Sequence, residues 1–66
     1  MNLFLNGEAT SAPDAITVAG LLDQLGFPLK GVAVERNREI VPKSLYATTD
    51  LAEGDRIEIV QFVGGG

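Results

Sequence analysis

Only one stretch of this chain carries apolar residues at helical spacing. In TVAGLLDQLG, Val18, Leu21, Leu22 and Leu25 fall at i, i+3, i+4 and i+7 and form one stripe along a helix. Thr17 precedes the stripe with a side-chain oxygen suited to an N-cap. Gly26 follows it with the freedom to enter the left-handed conformation that ends helices, and Pro28 prevents resumption. Gly20, inside the run, costs about 1 kcal/mol relative to alanine, so tertiary packing must hold this helix. One helix with one stripe needs one apolar surface to cover. The remaining chain reads as strands and turns, which makes that surface one face of a sheet.

The strands follow from alternation and turn chemistry. MNLFLNGEATS alternates around Leu3 and Leu5 and turns at Asn6-Gly7, a pair suited to the two positive φ angles of a type I′ hairpin turn. This predicts strands at Asn2–Leu5 and Glu8–Ser11, followed by a loop at APDA. In GVAVERNREIV, Val32 and Val34 share a face and Asn37-Arg38 marks a turn. A short strand then ends at Val41, because Pro42 offers no backbone donor. KSLYATTDL has no clean period and predicts an irregular connection with one helical turn around Ser44–Tyr46. AEGDRIEIVQF turns at Gly54-Asp55 and closes with a strand from Arg56 to Phe62.

Hairpin, helix, hairpin and final strand together predict an α+β fold: a mixed four- to five-stranded sheet with one main helix packed across one face. Familiar topologies, and not periodicity, put the final strand centrally beside the first. The expected core is Leu3, Leu5, Val18, Leu21, Leu22, Leu25, Val32, Val34, Ile57 and Ile59. The 66 residues read as a single domain, 1–66, with a flexible tail at 63–66. A domain of this size has little room to wrap a deep catalytic pocket.

Composition narrows the chemistry. Nine acidic residues against five basic ones give a net charge of −4, which repels phosphate backbones and argues against nucleic-acid binding. An acidic surface either meets a basic partner or keeps a small protein soluble, and net charge does not separate the two. No apolar run approaches the ~20 residues of a membrane span, and no signal segment follows Met1; the cytoplasm is the default expectation. With no histidine and no cysteine there is no ordinary nucleophile–base pair, no zinc-type ligand set and no disulfide. Ser11 and Ser44 lack a base and read as turn or cap residues. Asp14, Asp23, Asp50 and Asp55 lack calcium-loop spacing and read as solvated. No metal or cofactor is expected. The chain reads as a substrate or carrier and not as a catalyst.

Two features remain for function. On the final strand Ile57 and Ile59 face inward, so Glu58, Val60 and Phe62 face outward. Phe4 opposes Leu3 and Leu5 in the same way. Phe4, Val60, Phe62 and the following Val63 are either a partner-docking surface or apolar residues that cover one another across strands. The second feature is Gly64-Gly65-Gly66. Without Cβ atoms these residues make a thin thread able to enter a narrow cleft and lie beside a bound nucleotide. A carboxylate at its end, once adenylated, would present a good leaving group to a sulfur or amine nucleophile. The same composition also suits a linker or a frayed end.

LFLNGE, TVAGLLDQLG, VAVERNREIVPK and LAEGDRIEIVQFVGGG, in this order and over Met1 to Gly66, resemble the ThiS family, sulfur carriers of thiamine biosynthesis in the ubiquitin-like β-grasp superfamily. The resemblance implies that the Gly66 carboxylate is adenylated with ATP by a separate ThiF-type enzyme. A persulfide from a cysteine desulfurase would then convert it to a thiocarboxylate, which delivers sulfur to thiazole synthase, ThiG. Gly65 would give clearance beside the reacting carbon, whereas the family does not fix the residue at Gly64. The sulfur carrier of molybdopterin synthesis shares fold and diglycine but tends to be longer. A protein modifier joined to lysines through Gly66, and a plain interaction module, are the readings from other classes.

Overall fold

A computed structural model describes residues 1–62. In chain order these form β1 (Asn2–Leu5), β2 (Glu8–Ser11), α1 (Val18–Leu25), β3 (Val32–Arg36), β4 (Glu39–Ile40), a 3-10 turn at Lys43–Leu45 and β5 (Arg56–Gln61). The five strands make one sheet in the order β2-β1-β5-β3-β4. β5 lies in the middle, parallel to β1 and antiparallel to β3, and the outer pairs are antiparallel hairpins. This is the β-grasp arrangement, with the expected central final strand. The expected tail at 63–66 lies outside the described residues.

Both ends of α1 are set by local chemistry. Thr17 is extended and its Oγ1 accepts from the Gly20 N–H at 3.0 Å. The other free amides of the first turn are also used: Val18 N–H donates to the Thr49 carbonyl at 3.0 Å and Ala19 N–H to that of Tyr46 at 2.8 Å. At the far end Gly26 has φ 80°, and Gly26 N–H reaches Asp23 O while Phe27 N–H reaches Leu22 O. That pair of bonds is a Schellman motif, which needs a residue tolerant of positive φ at this position. Gly20 has a reason of its own. A Cβ there would lie 3.0 Å from Ile16 Cγ1 and 3.3 Å from Thr17 Oγ1, so close local packing favours the residue that helix propensity disfavours.

The core lies between α1 and one sheet face. Leu3, Val18, Leu21, Leu22, Val34 and Ile57 are almost fully enclosed, with Val32 and Ile59 beside them. Leu5 is half-buried against the same cluster. Leu25 departs from expectation: it is 36% exposed. It is the last helical residue, and the Schellman turn folds Phe27 back onto the core in its place. The core also takes Ala12, Val41, Tyr46 and Leu51, which show no periodicity. The connection from Val41 to Leu51 folds over the N-terminal end of α1. Its anchors are Val41 N–H to Val34 O at 2.9 Å, Leu51 N–H to Ile16 O at 2.9 Å, and the Tyr46 hydroxyl donating to Val32 O at 3.3 Å. Among the described residues no helix is long and apolar enough to cross a membrane.

Candidate functional site

The candidate site is the outer sheet face, with β5 at its centre. Strand alternation divides β5 in two: Ile57 and Ile59 are buried in the core, while Arg56, Glu58 and Val60 face outward. Phe62, just past the strand, is 67% exposed, and its N–H donates to the Gly31 carbonyl at 2.7 Å. The last described residue is therefore still tied to the sheet.

Two asparagines fix β5 from either side. Asn6 and Asn37 each open a hairpin turn with positive φ, 48° and 51°, a conformation asparagine tolerates better than most residues. The Asn6 Oδ1 accepts from the Ile59 N–H at 2.9 Å, extending the β1–β5 pairing beyond the end of β1. The Asn37 Oδ1 accepts from the Arg56 N–H at 3.0 Å. The same two residues thus form the turns and hold the central strand in register.

Asp55, just before β5, is buried and not solvated as its sequence surroundings suggest. Its Oδ2 accepts from Arg36 Nε at 2.8 Å and from the Ala52 N–H at 2.8 Å, and its Oδ1 accepts from Asn37 Nδ2 at 3.1 Å. Burial alone would push its carboxyl up. The hydrogen bonds from Arg36, Ala52 and Asn37, with the guanidinium charge, outweigh burial and hold it below its ordinary value. Because the folded value is the lower one, the stabilisation is complete above the unfolded value of about 4 and disappears as pH falls through the folded value. The stability of the parent to denaturant should therefore fall below about pH 4. Asp55→Asn should flatten that part of the profile; identical slopes for the two proteins would remove Asp55 from the account.

The structure separates the expected docking residues. Val60 sits opposite Ala33 and is 57% exposed, and Phe62 follows on the same face. Phe4 instead sits opposite Arg56, at the start of β5. At ~3.3 Å per residue it lies roughly 20 Å along the strand from Phe62. Phe4 therefore does not cover Val60 or Phe62; its partner is the Arg56 guanidinium, 5.6 Å from the ring centre. Val63, Gly64, Gly65 and Gly66 lie outside the described residues.

Beside Phe4 is a feature that neither alternation nor turn chemistry announces. An open groove of about 340 Å³ is lined by Phe4, Gly7, Arg38, Arg56, Ile57 and Glu58. The available signal was Arg38, which holds the second place of the Asn37-Arg38 turn, where a glycine would be expected.

The ThiS family model matches residues 3–66. The thiazole synthase of Paramagnetospirillum magneticum is 52% identical over 66 residues, covering 100% of this chain and 20% of that protein. The thiazole synthase of Magnetococcus marinus is 47% identical with the same coverage, so the chain spans about a fifth of the length of these relatives. The sulfur carrier protein ThiS of Escherichia coli is 33% identical, with 100% of both chains covered. Among solved structures, the crystal structure of the thiamine biosynthesis protein ThiS from Geobacter metallireducens superposes with a TM-score of 0.85 at 32% identity, covering 100% of both chains.

Proposed function

Because the chain belongs to the ThiS family, we propose that it is a sulfur carrier of thiamine biosynthesis, with the sulfur held at Gly66. The observation that carries this reading is the extent of the family match, which runs through the glycines to residue 66. Residues 1–62 are then one carrier domain that delivers Val63–Gly66 to its partners. A ThiF-type enzyme joins the Gly66 carboxylate to the α-phosphate of ATP, and pyrophosphate leaves. The terminal persulfide sulfur of a donor such as a cysteine desulfurase attacks the acyl-adenylate and AMP leaves. A partner thiol then cleaves the resulting acyl disulfide, forming a disulfide with the donor cysteine and releasing the thiocarboxylate. Gly65 leaves space beside the reacting carbon, because it has no Cβ to meet the nucleotide.

The chain acts as a co-substrate in the cytoplasm, and partner enzymes supply the catalytic groups. Thiazole synthase is the proposed acceptor of the sulfur. Support comes from the two thiazole synthases that each contain a stretch similar to this whole chain. Val60 and Phe62 are the apolar anchors nearest the delivered residues. Phe62→Ala should weaken binding to the activating enzyme or to thiazole synthase by more than about 1 kcal/mol, measured by calorimetry on a variant with an unchanged unfolding midpoint. Equal affinities would reduce the pair to ordinary exposed surface.

Intact mass spectrometry tests the function directly. The chain is incubated with ATP, a ThiF-type enzyme and a sulfur donor. One oxygen should be replaced by sulfur, and fragmentation should localise the change to Gly66. An unchanged mass sinks the carrier reading, and isopeptide adducts on lysines would instead mark a protein modifier.

A further inference from the structure

The groove beside Phe4 lies at the start of β5, far along the strand from Phe62, and the chemistry proposed at Gly66 does not account for it. Its cationic lining stands out in so acidic a chain. Of the five basic residues, Arg36 is committed to Asp55. Arg38 and Arg56 form no ion pair among the described residues, yet both line this groove. Both are exposed.

Each arginine is also positioned. The Arg56 guanidinium rests over the Phe4 ring at 5.6 Å, which restrains the side chain while leaving its N–H groups for a ligand. Arg38 has φ 71°, a left-handed conformation that glycine adopts without strain and arginine does not. An unfavourable backbone position occupied by a charged side chain at the rim of a groove points to a use for that side chain. Gly7, of the β1–β2 turn, completes the lining.

We infer that Arg38 and Arg56 receive carboxylate side chains from an acidic segment of the adenylating partner. Planar guanidinium groups pair with carboxylates through two parallel hydrogen bonds. Glu58, in the same lining, decides between a protein and a free anion. Its charge opposes a phosphate dianion, whereas a peptide segment can set its acids against the arginines and a neutral or basic residue against Glu58. The contact fixes the carrier at one end of β5 while the glycines reach the nucleotide from the other, so it orients the domain and takes no part in the chemistry.

This inference rests on the proposed carrier function, and its test is built to fail separately. Arg38→Gly removes the side chain and relieves the turn, so the variant should unfold no more readily than the parent. Combined with Arg56→Gln, it should raise the KM of the ThiF-type enzyme for the carrier at least tenfold, with kcat within twofold of the parent. The parent's KM should climb with salt, and that of the double variant should climb less. Lysine at both positions should restore part of the lost affinity. A parent that is thiolated, with a double variant of unchanged KM, overturns the groove assignment and leaves the carrier reading standing. A parent that gains no sulfur removes both. Inorganic phosphate at constant ionic strength should leave the Arg38 and Arg56 side-chain NMR signals in place; a saturable shift would make this an anion site and overturn the assignment to a protein partner.

Discussion

Leu22→Ala should destabilise the domain by about 2–5 kcal/mol. Leu22 has no exposed surface at all and sits on the middle of the one helical stripe, where α1 meets the sheet. Truncation removes the transfer free energy of its side chain and leaves a cavity that the rest of the core cluster cannot fill without moving. A domain of this size has a total stability of only ~3–10 kcal/mol, so the variant should be partly unfolded at modest denaturant concentration. Leu25→Ala is the control. Leu25 belongs to the same stripe but is 36% exposed, and its truncation should cost less than half as much. Equal losses from the two positions, measured by urea unfolding, would show that the burial along α1 is wrong.

That contrast shows where periodicity reads a fold and where it stops. The boundaries of β1, β2 and α1 follow from Asn6-Gly7, Thr17 and Gly26, because turn and cap chemistry is local. Nothing in the spacing of Leu25 separates it from Leu22. What separates them is the Schellman turn, which brings Phe27 onto the core and leaves Leu25 at its margin. Val41, Tyr46 and Leu51 were illegible for a related reason. They lie on an irregular connection held by scattered backbone hydrogen bonds to β3, to Ile16 and to the first turn of α1, and no period records that.

The candidate site divides in the same way. Alternation along β5 correctly turned Val60 and Phe62 outward. It gave no register against β1, so it could not reveal that Phe4 belongs with Arg56 and not with them. Asp55 resembled any solvated acid because its partners come from 19, 18 and 3 residues away. A pairing of that kind appears only once the β3–β4 turn is folded against the start of β5.

On the proposed carrier function, the position of Gly66 should matter to the sulfur chemistry more than any feature of the folded domain. Adenylation requires the carboxylate to sit in line with the α-phosphate, and misplacement by about 1 Å can cost on the order of 100-fold in rate. A residue spans ~3.5 Å of extended chain. Adding one alanine after Gly66 therefore overshoots, and deleting Gly65-Gly66 withdraws the carboxylate by roughly 7 Å. Gly65→Val keeps the length but adds a branched side chain where the thread must pass the nucleotide. Thiocarboxylate formation should fall by about 100-fold for the extension and for Gly65→Val, and should be absent for the deletion. The buried core of the described residues ends at Ile59, so the unfolding midpoints of all three should match the parent. Activity is then lost without loss of fold, which separates a delivered terminus from general destabilisation. Sulfur gained by the deletion variant at the parent's rate would show that the sulfur is not carried at Gly66.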